Sequence, residues 1–392
     1  MRIVQLISDN REIQRKYSLE KPAFGPAPEA LMSGFKALGN QVEVHVVSCL
    51  QQMPKQSPVK LADNIFYHPL HVPRIGWLRT GYQGCIRATR RKIWELQPDI
   101  VHGQGTERDC AMCAVFSGFP NVLTLHGVMS AICGITNSGF LTYYWFAKHL
   151  EALALRRTLG VIAISPYVDT LVSQVARKTW RIPNALRLAF FKPLAPAPQH
   201  LGFPRLINVG LISPYKRQLE LLEQLSYLRG ELEFGVTFIG RANSNSVYSQ
   251  QFISALKATN ARYGGFEHHE SFSAERLVEV YDTSDAMLHF SSEESFGLVF
   301  AEALARNLPL FASNVGAIRQ MSEGVQNCQI FHPGDLDGMI ASLRKWIINK
   351  GHMTLRGCAP NLTIESRVHP KVVAAQHLKV YDQLLKGSAR SR

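Results

Sequence analysis

Short apolar runs recur along the chain, and a stretch of helical length separates each run from the next. The first covers residues 3–8, and a β-branched run follows at 42–47. Runs this short that lack polar alternation are typical of strands in parallel sheets, because helices cover both faces of such a sheet. The pattern therefore predicts an α/β protein built from βαβ units. The remaining predicted strands cover 64–68, 100–102, 122–126, 161–165, 206–210, 236–240, 286–290, 308–311 and 329–331.

Prolines interrupt this pattern once, near the middle of the chain. Five of them fall between Pro183 and Pro204, which is typical of a linker. We predict two doubly wound, Rossmann-like domains facing a cleft: residues 1–183 and 205–369, joined by a linker at 184–204. A last helix at about 370–392 is assigned to the first domain. In such sheets ligands bind beyond the carboxyl ends of the strands, so we expect the chemistry in the loops that follow them.

The charge balance narrows the possible partners. The 392 residues carry 43 Lys and Arg against 30 Asp and Glu, a net charge of +13. A basic surface suits nucleic acid, anionic lipid or phosphorylated ligands. The sequence contains no helix-turn-helix, zinc-finger or aromatic-rich RNA motif, so nucleic acid is not an expected partner.

Cysteine usage and hydropathy indicate a cytoplasmic location. The seven cysteines are odd in number and scattered, which fits a reducing compartment. The start of the chain does not resemble a signal peptide, and no apolar run reaches the roughly 18 residues of a transmembrane helix. Cys110 and Cys113 form a C-x-x-C pair without a second pair or a nearby histidine, so we do not expect a zinc or redox site there.

Residues 78–96 are predicted to form one basic, aromatic helix. Arg87, Arg90 and Arg91 supply charge, and Trp77 and Trp94 supply apolar surface. This combination suits the anionic inner face of the cell membrane. It motivates the hypothesis that the acceptor is lipid-linked. A solvated helix face and a soluble acceptor are the alternatives.

An acidic loop and a glycine follow the predicted strand at 286–290. Gly297 is expected to open a helix, whose first N–H groups form an anion site that glycine lets a phosphate approach. Glu302 lies five residues later, roughly 7–8 Å along the axis, where a carboxylate could bind a ribose diol. Glu294 precedes the helix. The alternative is a plain amphipathic helix with Ser295 as N-cap and Glu302 in solvent.

Two other strand ends carry polar residues. Gly210 ends the predicted strand at 206–210, and Lys216 and Arg217 follow where a helix begins. Cations there oppose the helix dipole, so a bound anion would explain them, with ordinary surface charge as the alternative. His126 ends the predicted strand at 122–126 and is expected to face the cleft. A core or loop histidine is the alternative for this residue.

Together these segments resemble the family 4 glycosyltransferases, which have the GT-B fold. Glu294 and Glu302 have seven residues between them, as in the paired-Glu signature of that family. Gly210 followed six residues later by Lys216 is similar to its phosphate loop. Further similar segments occur in the expected order: Pro98-Asp99-Ile100-Val101-His102, Leu125-His126-Gly127, Ile182-Pro183-Asn184-Ala185, Phe191-Lys192-Pro193 and Asn314-Val315-Gly316-Ala317.

The resemblance implies a retaining, metal-independent transfer of a hexose-type sugar. The donor would be a UDP- or GDP-linked sugar, with no further cofactor, and the acceptor a lipid-linked or growing surface glycan. The resemblance also implies residue roles: Gly210, Lys216, Arg217 and the backbone of Phe296, Gly297, Leu298 and Val299 at the diphosphate, Glu302 at the ribose, Glu294 and His126 as catalytic contacts to the sugar, and Gly25 in an acceptor-side loop.

Two departures from the family pattern keep an alternative open. Leu211 stands where the family usually has an arginine, which removes one phosphate donor. Gly25 is the one glycine where the family usually has a pair. A non-catalytic relative that binds a nucleotide sugar or a partner enzyme is therefore the alternative function.

Overall fold

The computed structural model describes residues 1–135, 139, 141–193, 202–349 and 361–389. The chain divides into two compact units, one comprising Met1–Arg187 with Val368–Arg392 and the other Leu188–Arg367. The first break thus falls just inside the predicted linker at 184–204. Residues 194–201 of that linker lie outside the described residues, as do 350–360 of the predicted second domain and 390–392 of the predicted last helix.

A largely parallel sheet forms the centre of the first unit. Its strands are Arg2–Leu6 (β1), Glu43–Leu50 (β2), Lys60–Ala62 (β3), Ile65–His71 (β4), Ile100–Gln104 (β5), Asn121–Leu125 (β6), Val161–Ala163 (β7) and Thr179–Arg181 (β8). The order across the sheet is β3-β4-β2-β1-β5-β6-β7-β8, and β3 pairs antiparallel with β4. The strand order changes direction at β1, so the loops after β1 and β5 lie at a topological switch point.

The last helix of the chain belongs to this first unit. It packs against the helix Pro26–Ala37 through Phe35, whose ring stacks on Tyr381 with the centroids 6.5 Å apart. A Cβ atom on Gly34 would lie 2.2 Å from the Pro370 carbonyl oxygen, so the close approach of the two helices requires glycine here. The helices of the unit are Asn10–Gln14 (α1), Pro26–Ala37 (α2), Gln83–Leu96 (α3), Cys110–Val115 (α4), Met129–Ile135 (α5), Tyr143–Arg157 (α6), Pro166–Val172 (α7) and, at the end of the chain, Pro370–Ala389 (α15).

The helix predicted over residues 78–96 begins later than expected, at Gln83. Leu78–Thr80 form a separate 3₁₀ turn, and Gly81 and Tyr82 then take left-handed backbone angles, with φ of 60° and 64°. These two residues interrupt the helical hydrogen bonding, so the prediction of one continuous helix is wrong. Trp77 is 6% exposed and Tyr82 is 4% exposed. The aromatic surface predicted for this segment is therefore reduced to Trp94.

The second unit contains a fully parallel sheet. Its strands are Arg205–Val209 (β9), Gly235–Ile239 (β10), Phe266–His269 (β11), Ala286–His289 (β12), Leu310–Ser313 (β13) and Cys328–Phe331 (β14), in the order β11-β10-β9-β12-β13-β14. This is the 3-2-1-4-5-6 order of Rossmann folds, with its switch point between β9 and β12. The helices assigned in this region are Gln218–Arg229 (α8), Val247–Tyr263 (α9), Ala274–Thr283 (α10), Leu298–Ala305 (α11), Ile318–Ser322 (α12), Leu336–Ile348 (α13) and Leu362–Val368 (α14).

The prediction of a doubly wound α/β fold is confirmed. The strands that the sequence pattern missed, β3, β8 and β11, all lie at a sheet edge. Edge strands bury less of their surface, so their sequences are shorter and more polar than those of central strands. Among the described residues, no helix is both long enough and apolar enough to cross a membrane.

Candidate active site

Two loops meet at the switch point of the second unit, where ligands bind in sheets of this order. One loop follows β9 and carries Gly210 and Lys216, and the other follows β12 and carries Glu294. The structure brings the Lys216 and Glu294 side chains into a direct ion pair. The exposed fraction is 17% for the Lys216 side chain and 14% for the Glu294 side chain. The two residues lie 78 positions apart in the sequence.

The Glu294 carboxylate lies at the amino end of α11. Its Oε1 accepts a hydrogen bond from the Gly297 backbone N–H at 3.0 Å, and its Oε2 contacts Lys216 and lies 3.3 Å from Nε2 of His289. Burial alone would raise the pKa of Glu294, but the charges and hydrogen bonds of Lys216 and His289 outweigh burial and lower this pKa to about 2. The carboxylate is therefore ionised at neutral pH, held between a cation and a helix N-terminus.

Two glycines make this arrangement possible. Gly297 has φ of 83°, and a Cβ atom there would lie 2.8 Å from the Ile318 side chain. Gly316 has φ of 55°, and a Cβ atom there would lie 1.4 Å from the carbonyl oxygen of Glu294. Any side chain at Gly316 would push the Glu294 loop away from α11. The close approach of the Glu294 backbone thus explains why the Asn314-Val315-Gly316-Ala317 segment has glycine at position 316.

The chemistry of this cluster is that of an anion site. An amino-terminal helix end offers free N–H groups and a partial positive charge, and Lys216 adds a full one. In this structure the carboxylate of Glu294 interacts with both. A phosphate would make the same kind of interactions.

The other residues predicted for the diphosphate belong to the same two loops and to the first turn of α11. Arg217 has left-handed backbone angles just before α8 and places its guanidinium 5.6 Å from the centre of the Phe290 ring. Phe296 is buried, whereas Leu298 and Val299, the first residues of α11, are half-buried. Gly297 rather than Ser295 is the N-cap of α11, so the alternative with a Ser295 cap is wrong.

Glu302 is buried on α11, with 3% of the residue exposed. The hydroxyl of Tyr281 lies 3.4 Å from its Oε2 and donates a hydrogen bond to it. The alternative in which Glu302 is a solvated surface residue is therefore wrong. At the C-cap of the same helix, Arg306 is fully buried and pairs with Asp282 at 2.6 Å. Tyr281, Asp282, Arg306 and His289 were not predicted as site residues from the sequence. The signal for His289 was a polar residue at the end of an otherwise apolar strand.

His126 follows β6 in the first unit and is half-buried. Its Nε2 lies 3.0 Å from Oε1 of Gln104, and since an amide oxygen only accepts, Nε2 carries the proton. Burial lowers the pKa of His126 to about 4, although a hydrogen bond with Asn184 acts in the opposite direction. The imidazole is therefore neutral at pH 7, with an Nε2–H donor.

His126 lines a small cavity within the first unit. The cavity has a volume of about 10 Å³, close to the room needed by one water molecule. Gly25 is the N-cap of α2, and the first turns of that helix contribute Ala27 and Leu31 to the lining. A Cβ atom on Gly25 would meet Pro28 at an ordinary 3.7 Å, so the structure gives no steric need for glycine there. Its acceptor-side role stays a prediction.

A buried polar network adjoins this cavity and shares Gln104 and Thr124 with its lining. Nδ1 of His102 lies 2.6 Å from the Tyr381 hydroxyl of α15, and Nε2 lies 2.7 Å from Oγ1 of Thr124. Gln104 donates to Gln5 at 2.9 Å. The network thus connects three neighbouring strands with the last helix of the chain. Its signal in the sequence was the presence of polar residues inside otherwise apolar strands.

Comparison with known proteins identifies the family. Residues 30–190 match the profile described as "Glycosyltransferase Family 4", and residues 197–356 match "Glycosyl transferases group 1". The chain belongs to the family 4 glycosyltransferases. The resemblance drawn from the paired glutamates and the phosphate loop is thus confirmed at the level of the family.

Curated relatives of this glycosyltransferase chain are distant. It is 26% identical over 222 residues to a phosphatidyl-myo-inositol mannosyltransferase of Mycobacterium leprae, a match covering 51% of this chain and 52% of the relative. It is 25% identical over 197 residues to a GDP-mannose-dependent alpha-mannosyltransferase of Mycobacterium tuberculosis, covering 48% and 46% respectively. The chain thus spans about half the length of these curated relatives.

Solved structures match over nearly the whole chain and show the fold. A sucrose-phosphate synthase from Thermosynechococcus elongatus superposes with a TM-score of 0.75 at 15% identity, covering 99% of this chain and 100% of that one. Anabaena HepE in complex with UDP and glucose superposes with a TM-score of 0.70 at 17% identity, covering 98% and 100%. Both support the GT-B architecture of this family member.

Proposed function

We propose that this chain transfers a hexose-type sugar from a nucleoside diphosphate sugar to an acceptor hydroxyl, with retention of the anomeric configuration. The observation that carries the proposal is the cluster of Lys216, Glu294 and the Gly297 N–H at the amino end of α11. It combines a cation, a helix N-terminus and a displaceable carboxylate at the switch point of a Rossmann-type sheet.

Departure of the nucleoside diphosphate is the step that this cluster would assist. Negative charge grows on the leaving phosphate as the glycosidic bond breaks, and a preorganised cation and helix dipole stabilise that charge. Lys216 would bind the diphosphate with the N–H groups at the start of α11, without a divalent metal. A phosphate oxygen of the leaving group would then accept the proton of the acceptor hydroxyl.

Binding of the donor would release Glu294 from Lys216. The carboxylate accepts hydrogen bonds only, so it is suited to the hydroxyl groups of the donor sugar. Glu302 is proposed for the ribose, in which case its carboxylate would exchange part of its interaction with Tyr281 for the diol. His126, with its neutral Nε2–H donor, is proposed as a further contact to the sugar.

The names of the relatives support a UDP- or GDP-linked donor. One relative is named as GDP-mannose-dependent, and the HepE structure was solved with UDP and glucose. A mannosyltransferase named for phosphatidyl-myo-inositol supports a lipid-linked acceptor.

Association with the inner face of the membrane is part of this proposal and rests on α3. Arg87, Arg90 and Arg91 are exposed, and Trp94 is 51% exposed. Glu95 pairs with Arg91 at 3.6 Å, so the positive charge of Arg91 is partly neutralised by an acidic neighbour. A soluble acceptor is the alternative.

A second candidate function is a non-catalytic protein that binds a nucleotide sugar or a partner enzyme. Leu211 favours this second candidate. It stands where the family usually has a phosphate-binding arginine, and 47% of its surface is exposed. An exposed leucine adds no charge to the anion site.

A donor screen tests both candidates. Purified protein is incubated with UDP-, GDP- and ADP-sugars, and donor hydrolysis and nucleotide binding are followed for the wild type, Lys216→Met and Lys257→Met. Lys257 is an exposed lysine on α9 and serves as the matched control. We expect hydrolysis of one donor class, lost in Lys216→Met and kept in Lys257→Met.

Nucleotide binding without hydrolysis of any donor or transfer to any acceptor would favour the non-catalytic protein. Equal activity of both lysine variants would contradict the role of Lys216. The anomeric configuration of the product, measured by NMR, decides between retention and inversion.

A further inference from the structure

Three cysteines and an aspartate lie together in the interior of the first unit, and none of them belongs to the site described above. Cys49 is the next-to-last residue of β2, Cys85 lies in the first turn of α3, and Asp109 and Cys113 belong to the start of α4. All four residues are buried, with between 0% and 6% of their surface exposed.

The donor atoms of this thiol cluster (Cys49, Cys85, Asp109 and Cys113) converge. The Sγ atoms of Cys49 and Cys113 and a carboxylate oxygen of Asp109 all lie within 4.8 Å of one another. Cys85 lies within hydrogen-bonding reach of Cys49. Asp109 and Cys113 face the same side because they are separated by one helical turn.

The orientation of Asp109 needs an explanation. It is the N-cap of α4, yet its side chain makes no capping hydrogen bond, although aspartate is among the best N-cap residues. Its Oδ2 lies instead 4.0 Å from Sγ of Cys113. A thiol is a weak donor, so it compensates poorly for burying a carboxylate.

We infer that the thiol cluster binds a zinc ion, with Cys49, Cys113 and Asp109 as ligands and Cys85 in the fourth position. Two thiolates and a carboxylate are donor groups that Zn²⁺ accepts, and structural zinc sites have four ligands. Binding displaces one proton from each of the three thiols, so the ion with Cys49, Cys85, Cys113 and the Asp109 carboxylate carries two net negative charges. This inference is independent of the proposed function.

The spacing of the donor atoms is compatible with a tetrahedral ion. Zinc–sulfur bonds of about 2.3 Å place tetrahedral donor atoms roughly 3.8 Å apart. The donor atoms of Cys49, Asp109 and Cys113, now within 4.8 Å of one another, would therefore move together by about 1 Å or less. The ligands come from three different elements, so the ion would fix α3 and α4 to the end of β2.

Two other interpretations compete with zinc. Buried cysteines often serve as small apolar side chains, and neighbouring thiols can form a disulfide. The presence of Asp109 favours a metal over both, because a carboxylate adds nothing to an apolar core or to a disulfide.

Metal analysis of the full chain tests the inference. The protein is purified, exposed to zinc, dialysed free of unbound metal and measured by mass spectrometry for zinc content and for thiol oxidation. Cys113→Ala and the isosteric Asp109→Asn remove one ligand each. Cys133→Ala is the matched control, since Cys133 is a buried cysteine on α5 outside the cluster.

We expect one zinc ion per chain in the wild type and in Cys133→Ala, and loss of the ion in Asp109→Asn and Cys113→Ala. With Co²⁺ in place of zinc, the wild type should show a thiolate-to-metal charge-transfer band that weakens in Cys113→Ala. Asp109→Asn keeps the size of the side chain, so it still reports if Cys113→Ala does not fold.

Three results would each overturn the inference: a wild type without zinc after exposure, zinc content unchanged in Asp109→Asn, or a mass showing a disulfide within the cluster.

Discussion

Replacing Glu294 by glutamine should tighten the binding of a free diphosphate, although it should abolish sugar transfer. In the structure the Glu294 carboxylate interacts with Lys216 and with the Gly297 N–H, the groups proposed to bind the donor phosphates. Its pKa is lowered from 4.5 to about 2. At about 1.4 kcal/mol for each tenfold change, the surroundings favour the charged carboxylate by about 3 kcal/mol.

An incoming diphosphate competes with that interaction. Glu294 recovers part of it by moving into water or onto the sugar, so the competition costs less than the full amount. We expect Glu294→Gln to bind inorganic pyrophosphate more tightly by about 1–2 kcal/mol, which is roughly 5- to 30-fold in the dissociation constant. Transfer should fall because glutamine is neutral and a weaker acceptor for the sugar hydroxyls.

Isothermal titration calorimetry with pyrophosphate measures this effect. Glu293→Gln is the matched control: it removes the same charge from the neighbouring residue, which is also half-buried. Pyrophosphate should bind Glu293→Gln with nearly wild-type affinity. If Glu294→Gln binds pyrophosphate no better than the wild type does, Glu294 does not compete with phosphate and the reasoning fails.

Four further predictions follow from the same structure. Glu302→Gln should weaken binding of UDP or GDP by calorimetry but leave pyrophosphate binding unchanged, and equal effects on both would contradict a ribose contact. Turnover should survive EDTA, whereas full dependence on added magnesium or manganese would contradict a metal-independent reaction. Co-sedimentation with anionic vesicles should fall at high salt and in Arg87/Arg90/Arg91→Glu, and binding that ignores lipid charge would favour a soluble acceptor. Burial lowers the pKa of His377 to about 4. Below about pH 6.5 the unfolded chain therefore binds a proton at His377 that the folded chain does not, and stability is lost as the pH falls towards 4. In urea unfolding, the free energy of unfolding of the wild type should fall by up to about 2 kcal/mol more than that of His377→Leu between pH 7 and 5, and equal losses in both proteins would refute this.

The central strands could be predicted from the sequence, and so could the edge strand β14, whereas the edge strands β3, β8 and β11 could not. A strand such as β1 lies in the middle of the sheet, and four of its five residues are buried, three of them apolar. The pattern at β11, Phe-Glu-His-His, shows one buried residue followed by three more exposed ones. An edge position requires no apolar run, and at β11 the sequence therefore carries no matching signal.

The candidate site was predictable where a residue's type departs from what its position requires. Lys216 beside a helix N-terminus and Gly297 at an N-cap are such departures, and both lie in the anion site. The burial of Glu302 was not predictable, because its partner Tyr281 lies in a different helix, α10, and no local spacing pattern links the two residues. Contacts across elements depend on the packing of the unit rather than on local spacing.

The thiol cluster also could not be predicted from the local spacing of residues in the sequence. Cys110 and Cys113 are close in the sequence, but only Cys113 joins the cluster, while Sγ of Cys110 lies 3.6 Å from the hydroxyl of Ser8. A motif search looks for ligands in pairs along the chain, and so the lone C-x-x-C argued against a metal. The fold instead assembles single cysteines from a strand end and from two helix starts around an aspartate. The informative sequence signal was therefore Asp109 four residues before Cys113, a carboxylate and a thiol on one side of one helical turn.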